Sequence, residues 1–576
     1  MRPCTRVVAL LSAWVMGCVP GAPAAGDKLL AGGGHVPPMV RDSAQGDALD
    51  GNQDVDLRVA LPLHNEAALD ALIADLYDPN SAQYGRFLSP QQFAARFLPD
   101  ANDVAAVRAA LASAHLEVDA AAHGTLLAVR GTVAEVQAAL GTTLYNYTAA
   151  DGAHFTAPAA ELNLPDGLQG IAVHGLTTGL VARPQYARMP ERAPTLGPMR
   201  LAVPQLALNA NAIRAAYNVP ATMQGDGQSV GLFQLDHFDP NDIIQYCRLN
   251  NLPLPNLTAV YIDGAPGVVQ DANVQVEVTL DIELLHAMAP KLAEIRLYEG
   301  PANTTFQQYL DVLNEMANPT LGDRKLIRVL STSYGYFENS LPDAALRTEA
   351  AIFKQMAAQG QAFFSAAGDT GAYANPAKPS ELTVIDPASQ PYVTSVGGTR
   401  LNVGVGASYG QETTWAQGGG GSSRYWPKPS YQTDLPAASP NVLASTTMRN
   451  VPDVSLNADP NTGYAIYVQG GTAQVGGTSC GAPQWAGFLA LVHQERAAQN
   501  QGPLGFFNPA LYNLMGAASG QSLMHDITSG GNGAYSAATG YDSATGWGSP
   551  NGRALLSAFF LSAPRRVFTA PNWVLQ

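Results

Sequence analysis

Short apolar strands alternating with amphipathic helices from Ser229 onward predict an α/β fold on a mainly parallel sheet, preceded by a smaller α+β unit. Three observations carry this. Strand-like runs at 230–235, 293–298, 326–330, 362–366 and 392–396 are separated by helical patterns at 276–289, 305–317 and 344–358, the alternation expected when helices cover both faces of a parallel sheet. Ahead of them, 57–181 mixes helical and strand-like patterns. The chain has 576 residues, enough for two folded units with a sizeable core.

The elements follow in order. Residues 1–25 join basic Arg2 and Arg6, an apolar run over 7–19 and small residues at 22–25, a secretory signal that predicts an exported protein. The run is too short to cross a bilayer, and no later segment is long and apolar enough, so no membrane span is expected. A lipoprotein anchor at Cys18 is the weaker alternative, because Met16 is unusual before Gly17. Residues 26–56, rich in Gly, Asp and Pro without a period, read as a loose leader. In 57–181, Asn65 is placed to cap a helix carrying Leu69, Leu72, Ile73 and Leu76 on one face. A second helix follows Ser89-Pro90, a third covers 104–114, and 125–129 reads as a strand. Residues 182–205 hold Pro184, Pro190, Pro194, Pro198 and Pro204 with no hydrophobic period, which marks a linker. The large unit runs over 206–560, and 561–576 is a tail.

With 13% charged residues and a formal net charge of −15, the surface is acidic and nucleic acid is not an expected partner. Of the 4 cysteines, Cys4 and Cys18 fall in the signal. Cys247 and Cys480 alone make no disulfide framework, and their pairing stays open. Cys480 reads as a small buried apolar residue.

The chemistry begins at Gly477-Thr478-Ser479-Cys480-Gly481-Ala482-Pro483, where a turn sets Ser479 at the start of an apolar helix. Unpaired N–H groups there favour developing negative charge beside the hydroxyl. Ser479 is either a helix cap or a nucleophile, and a nucleophile needs a base. Asp236 and His286 precede Ser479 in the order of a subtilisin triad, but His286 lies inside a helical pattern and His123 lies in the leading unit. The stronger candidate is Glu277-Val278-Thr279-Leu280-Asp281, whose two carboxylates stand four apart on one helix face, flanked by apolar residues. Such a pair shares a proton and can take the proton of Ser479 and return it to a leaving amine.

The Glu-x-x-x-Asp pair, Ser365-Ala366-Ala367-Gly368-Asp369 and Gly-Thr-Ser-x-x-x-Pro, in this order, resemble the signatures of the sedolisin family of serine-carboxyl peptidases. The string from Asp78 to Ser89 resembles the family's pro-kumamolisin activation domain. The resemblance spans about 57–560. It implies a subtilisin-like catalytic domain after a ferredoxin-like pro-domain at 57–181, with Ser479 as nucleophile, Glu277 as base, Asp281 as its partner and Asp369 as oxyanion donor. An Asp donates only when protonated, so an acid-acting endopeptidase is expected. The pro-domain is expected to inhibit in the same chain until self-cleavage in the linker, with polypeptides as substrates and a monomeric enzyme. Two departures stand out: Gln234 replaces a Glu found in some relatives, and Tyr334 replaces a Trp.

The Gly-rich stretch from His525 to Pro550 offers hard oxygen ligands. By resemblance it binds one Ca²⁺ through Asp526, Ile527, Ala538, Gly540 and Asp542, with Ile527, Ala538 and Gly540 acting through their carbonyls. Gly418 to Gly421 lacks a following Gly-Lys-Ser/Thr and reads as a flexible rim. Three other functions remain in view: a tripeptidyl exopeptidase of the same family, a His-based subtilisin-like protease, and an inactive secreted binding protein on the same scaffold.

Overall fold

A computed structural model describes residues 34–188 and 207–561, apart from 121, 151, 321–324, 377, 434, 436–443 and 518–521. The signal with Cys4 and Cys18, the linker prolines from Pro190 onward and the tail lie outside the described residues.

The leading unit is a four-stranded antiparallel sheet ordered Glu117–Val118, Leu126–Thr132, Asp54–Ala60, Ala172–His174. Period-two alternation sends Leu57, Val59, Leu127, Val129 and Val173 to one face, beneath the helices Ala101–Ser113 and Val133–Leu140. The opposite face meets the large unit, where Ala60 and Leu126 join Phe306, Tyr309 and Leu313 in one apolar cluster. The helices Glu66–Tyr77 and Pro90–Phe97 pack Leu69, Ile73, Phe93 and Phe97 against Ala357, Ala358 and Phe506. Ser89 and Gln92 close a capping box at the second of these.

Two expectations are corrected here. Asn65 precedes its helix in a left-handed conformation (φ 52°) and its side chain makes no capping bond, so it supplies the turn rather than the cap. The expected loose leader is ordered from within: Ala44–Ala48 pairs with Leu144–Thr148, and the strand Asp54–Ala60 starts before residue 57. Every residue of Ala44–Ala48 is exposed, so its order comes from pairing with a distant strand and leaves no apolar period to read.

The large unit is built on an eight-stranded sheet. Its order is Leu257–Tyr261, Glu294–Glu299, Ser229–Gln234, Val329–Thr332, Ala362–Ala366, Thr394–Asn402, Gln411–Thr414, with Val454–Asn457 also paired to Thr394–Asn402. All pairings are parallel except that of Thr394–Asn402 with Gln411–Thr414. One face lies under the helices Ala272–Met288 and Gly481–Ala498, the other under Phe306–Ala317 and Asp343–Ala358. Leu232 and Phe233 show why the strand is apolar throughout, since adjacent residues enter opposite cores. The run expected at 326–330 is a strand only from Val329, where pairing with Ala362–Ala366 begins.

Gly418 to Gly421 is a packed wall, not a flexible rim. All four are buried, Gly419 N–H donates to the Gly368 carbonyl at 2.6 Å, and a side chain on Gly419 or Gly420 would strike the backbone of Ala367 or Ser543. Cys247 and Cys480 are buried and unpaired.

Candidate active site

The carboxyl ends of adjacent parallel strands converge on one spot, the usual position for reactive groups in such a sheet. Gln234 ends one strand, Ser333 follows the next, and Asp369 follows Ala362–Ala366. Beneath them runs the helix Ala272–Met288, started by Asp271, whose side chain accepts from Asn273 N–H. Every residue from Gln275 to Met288 is buried. Glu277 and Asp281 are therefore enclosed, both at 0% exposure.

Ser479 lies in the single turn Thr478–Cys480 before the helix Gly481–Ala498. It does not cap that helix. Its hydroxyl donates to Glu277 Oε2 at 2.9 Å, with the Ser333 carbonyl at 3.5 Å. Asp281 accepts from Ser333 Oγ at 2.7 Å and from Gln234 Nε2 at 2.8 Å. The Tyr334 hydroxyl in turn donates to Gln234 Oε1 at 3.4 Å, so both departures from the family pattern meet behind the acid pair.

Burial raises the proton affinity of both acids. For Glu277 the nearby charge of Asp281 adds to burial, while the Ser479 hydroxyl opposes it. For Asp281, Ser333 and Gln234 oppose burial. The two carboxyls are thus coupled, and burial favours the neutral form of each.

Asp369 Oδ1 accepts from both the amide and the hydroxyl of Thr478 at 2.8 Å. Its Oδ2 is enclosed with no hydrogen-bond partner among the described residues. Burial pushes this carboxyl up to about 7, against the pull of Thr478. Gly477 (φ 106°) lets the three pieces meet: Asp369 Oδ2, the Gln185 carbonyl oxygen and Tyr186 Cα all lie within 2.6 Å of where a Cβ on Gly477 would stand.

Ser479 N–H donates to the Gln185 carbonyl at 2.9 Å. Sequence reading missed Gln185 and also Ser333, whose carbonyl accepts from Gln185 N–H at 3.0 Å. On one side of Gln185, Arg183–Pro184 pairs antiparallel with Tyr334–Phe337. On the other, Ala187–Arg188 pairs antiparallel with Gly471–Gly476. Residues 183–188 of the expected linker therefore run through the cleft in extended form.

The alternative triad does not assemble. His286 lies nine residues beyond Glu277 on the same helix, about 13 Å along it, and its Nε2 contacts the Pro253 carbonyl at 2.6 Å. Asp236 accepts from the amides of His237, Gln270 and Asp271.

Toward the C-terminus, Gly540 N–H donates to Asp526 Oδ2 at 2.9 Å and Ala538 N–H to Asp542 Oδ2 at 3.0 Å, folding the loop back on itself. Asp542 is fully buried, and Ala544, Thr545 and Ala538 supply its donors. Burial raises both carboxyls, that of Asp542 to about 6. No group of three or more His, Cys, Asp or Glu among the described residues could hold a metal. A cation here would thus need carbonyls beside the two carboxylates, an all-oxygen set that fits Ca²⁺.

Comparison with known proteins matches residues 41–178 to the pro-kumamolisin activation domain and 283–548 to the subtilase family. Kumamolisin from Bacillus sp. (strain MN-32) is 33% identical over 83% of this chain and 86% of its own length. Sedolisin from Pseudomonas sp. (strain 101) is 31% identical over 88% and 86%. The solved structure of Pseudomonas sedolisin, a serine-carboxyl proteinase complexed with two molecules of pseudo-iodotyrostatin, superposes with a TM-score of 0.56 at 27% identity, covering 62% of this chain and 99% of that one.

Proposed function

This chain belongs to the sedolisin and kumamolisin family of serine-carboxyl peptidases, and on that premise we propose that it is a secreted, acid-acting endopeptidase that activates itself. It is a serine-carboxyl peptidase with a subtilisin-like domain behind an activation domain. Ser479 is the nucleophile, Glu277 the base, Asp281 its partner and Asp369 the oxyanion donor. The observation that carries this assignment is the 2.9 Å bond from the Ser479 hydroxyl to a carboxylate oxygen of Glu277.

In the reacting form the shared proton sits on Asp281, which the Ser333 hydroxyl allows because it can donate or accept. That frees Glu277 Oε2 to take the Ser479 proton as Oγ attacks the scissile carbonyl. Protonated Asp369 and Ser479 N–H hold the oxyanion. Glu277 then passes the proton to the leaving amine, and water releases the acyl group.

Residues 57–181 serve as the inhibitory pro-domain, 182–205 as the processing linker and 206–560 as the catalytic domain, acting as a monomer on polypeptides. Export rests on the signal at 1–25. No helix among the described residues is long and apolar enough to cross a membrane. Asp526 and Asp542, with the carbonyls of Ile527, Ala538 and Gly540, would hold one Ca²⁺. The ion would offset two carboxylates and fix the loop. A chelator should lower the melting temperature of the full chain and added Ca²⁺ restore it; an unchanged melt would remove the assignment.

The mechanism is tested by hydrolysis of a denatured protein across pH by acid-treated wild type and Glu277→Ala. Activity confined to acid and reduced by about 100-fold or more in the variant is expected. Neutral activity that survives in Glu277→Ala would favour a histidine base, and no activity in processed wild type would favour a binding protein.

A further inference from the structure

The geometry points to Gln185–Tyr186 as the first peptide bond that this chain cuts in itself. The inference rests on Ser479 being the nucleophile and adds the register of the linker. Two hydrogen bonds at Gln185 and strand pairings on either side of it fix that register. Gln185 N–H donates to the Ser333 carbonyl at 3.0 Å and the Gln185 carbonyl accepts from Ser479 N–H at 2.9 Å. Upstream, Arg183 stands opposite Gly335 and Pro184 opposite Tyr334. Downstream, Ala187 stands opposite Gly476 and Arg188 opposite Val475. The strand is thus pinned on both sides of the serine. A slip of one residue would turn every side chain to the opposite face.

The side chains agree with that placement. Gln185 is 6% exposed, its amide folds back to the Arg183 carbonyl at 2.8 Å, and its Oε1 lies over Gly368. Arg183 stacks on the Phe337 ring at 5.3 Å. Across the serine, the Tyr186 hydroxyl donates to the Asn273 carbonyl at 2.9 Å, in the first turn of the helix that carries Glu277. One carbonyl of the linker therefore shares the cradle at Gly477 with Asp369 Oδ2, and it belongs to Gln185.

The step balances within the chain and solvent. Ser479 Oγ bonds to the Gln185 carbonyl carbon while its proton passes to Glu277. Collapse breaks the C–N bond to Tyr186, whose nitrogen takes that proton. Water then hydrolyses the Gln185 ester, restoring Ser479 and leaving Gln185 as a new C-terminal carboxylate. The contacts that seat 183–188 both block the cleft and present the bond.

The test brings the dilute full chain to about pH 4, where unperturbed carboxyls titrate. Samples are quenched early, and fragments are identified by N-terminal sequencing and intact mass for wild type, Ser479→Ala and Gln185→Pro. The earliest wild-type fragment should begin at Tyr186, appear at a rate independent of protein concentration, and be absent from Ser479→Ala. Gln185→Pro removes the N–H that meets Ser333 and displaces the bond, which should slow this cut about 100-fold. Wild type alone decides the register, so a poorly folding variant does not matter. An earliest fragment beginning elsewhere, with Ser479→Ala still intact, overturns this inference and leaves the nucleophile in place. Self-cleavage by pure Ser479→Ala overturns the nucleophile itself.

Discussion

With Thr478 donating to Asp369 Oδ1 from both its amide and its hydroxyl, the proton that burial holds on Asp369 is left to Oδ2, the oxygen facing Gly477. Burial pushes this carboxyl up to about 7, so the donor role proposed for it would be lost as pH rises through that value. Asn donates at every pH. Asp369→Asn should therefore move the alkaline fall of kcat/KM to higher pH, since ionisation of Glu277 only improves the base. A pH profile with an unmoved alkaline limb would take the oxyanion away from Asp369. At this scale, what the sequence made legible was local: the four-residue spacing of Glu277 and Asp281, and a serine after Gly-Thr. Ser333 and Gln185 were not legible, because their function is a contact to a residue 146 positions away for Ser333 and to the same serine from the linker for Gln185. Gln234 was visible as a departure, but its role as an amide donor to Asp281 needed the fold.

Two buried helices hold Ser479 and the two acids in register, and Gly487 marks where they touch. A Cβ there would stand 3.0 Å from Met288 Cβ and 3.2 Å from Leu285 Cδ1. Glycine inside a helix costs roughly 0.5–1 kcal/mol relative to alanine, so the close approach explains its presence. Gly487→Leu should overpack this crossing by about 1–3 kcal/mol. The strain would pull Ser479 from Glu277 and lower kcat/KM about 100-fold. Thermal melts and kinetics check both effects; a destabilised but fully active variant would mean that the helices shift without moving the site. The long helices were legible because they are apolar and continuous. Strands such as Leu257–Tyr261 and Ala44–Ala48 were not, because the first is short and half-exposed and the second wholly exposed. Propensity and period say little about a strand whose order comes from its neighbour.

Across the whole molecule, the proposed acid activation would act in opposite directions on the two units. The leading unit docks through Arg58 to Asp311 at 2.7 Å, Lys354 to Glu66 at 2.5 Å and to Asp70 at 2.9 Å, and His174 to Thr348 Oγ1 at 2.8 Å. Burial, then the charges of His35 and Arg347, lower His174 from the usual 6.5 to about 3. Docking that requires a neutral histidine is complete above 6.5 and weakens as pH falls toward about 3, because the released unit takes up the proton. Burial raises the proton affinity of Asp369, Glu277 and Asp281, so acid would favour the protonated Asp369 that the proposed mechanism uses. His174→Gln keeps a partner for Thr348 and cannot charge. It should shift the pH midpoint for release of the nicked pro-unit downward, as read by gel filtration. An unmoved midpoint would assign the trigger to the carboxylate pairs of Arg58 and Lys354.

The seating of 183–188 between two strand edges sets a condition on anything that follows it into the cleft. Antiparallel pairing on both flanks reads backbone N–H and C=O groups, which a helix or a compact domain keeps for itself. A protein target must expose about six residues in extended form, on the order of 20 Å of straight chain. Its rate of digestion then follows how often it opens locally, so the peptidase acts as a gauge of unfolding in its targets. Under the proposed acid action, the change of medium that readies the site would also loosen many targets, preparing both sides of the encounter.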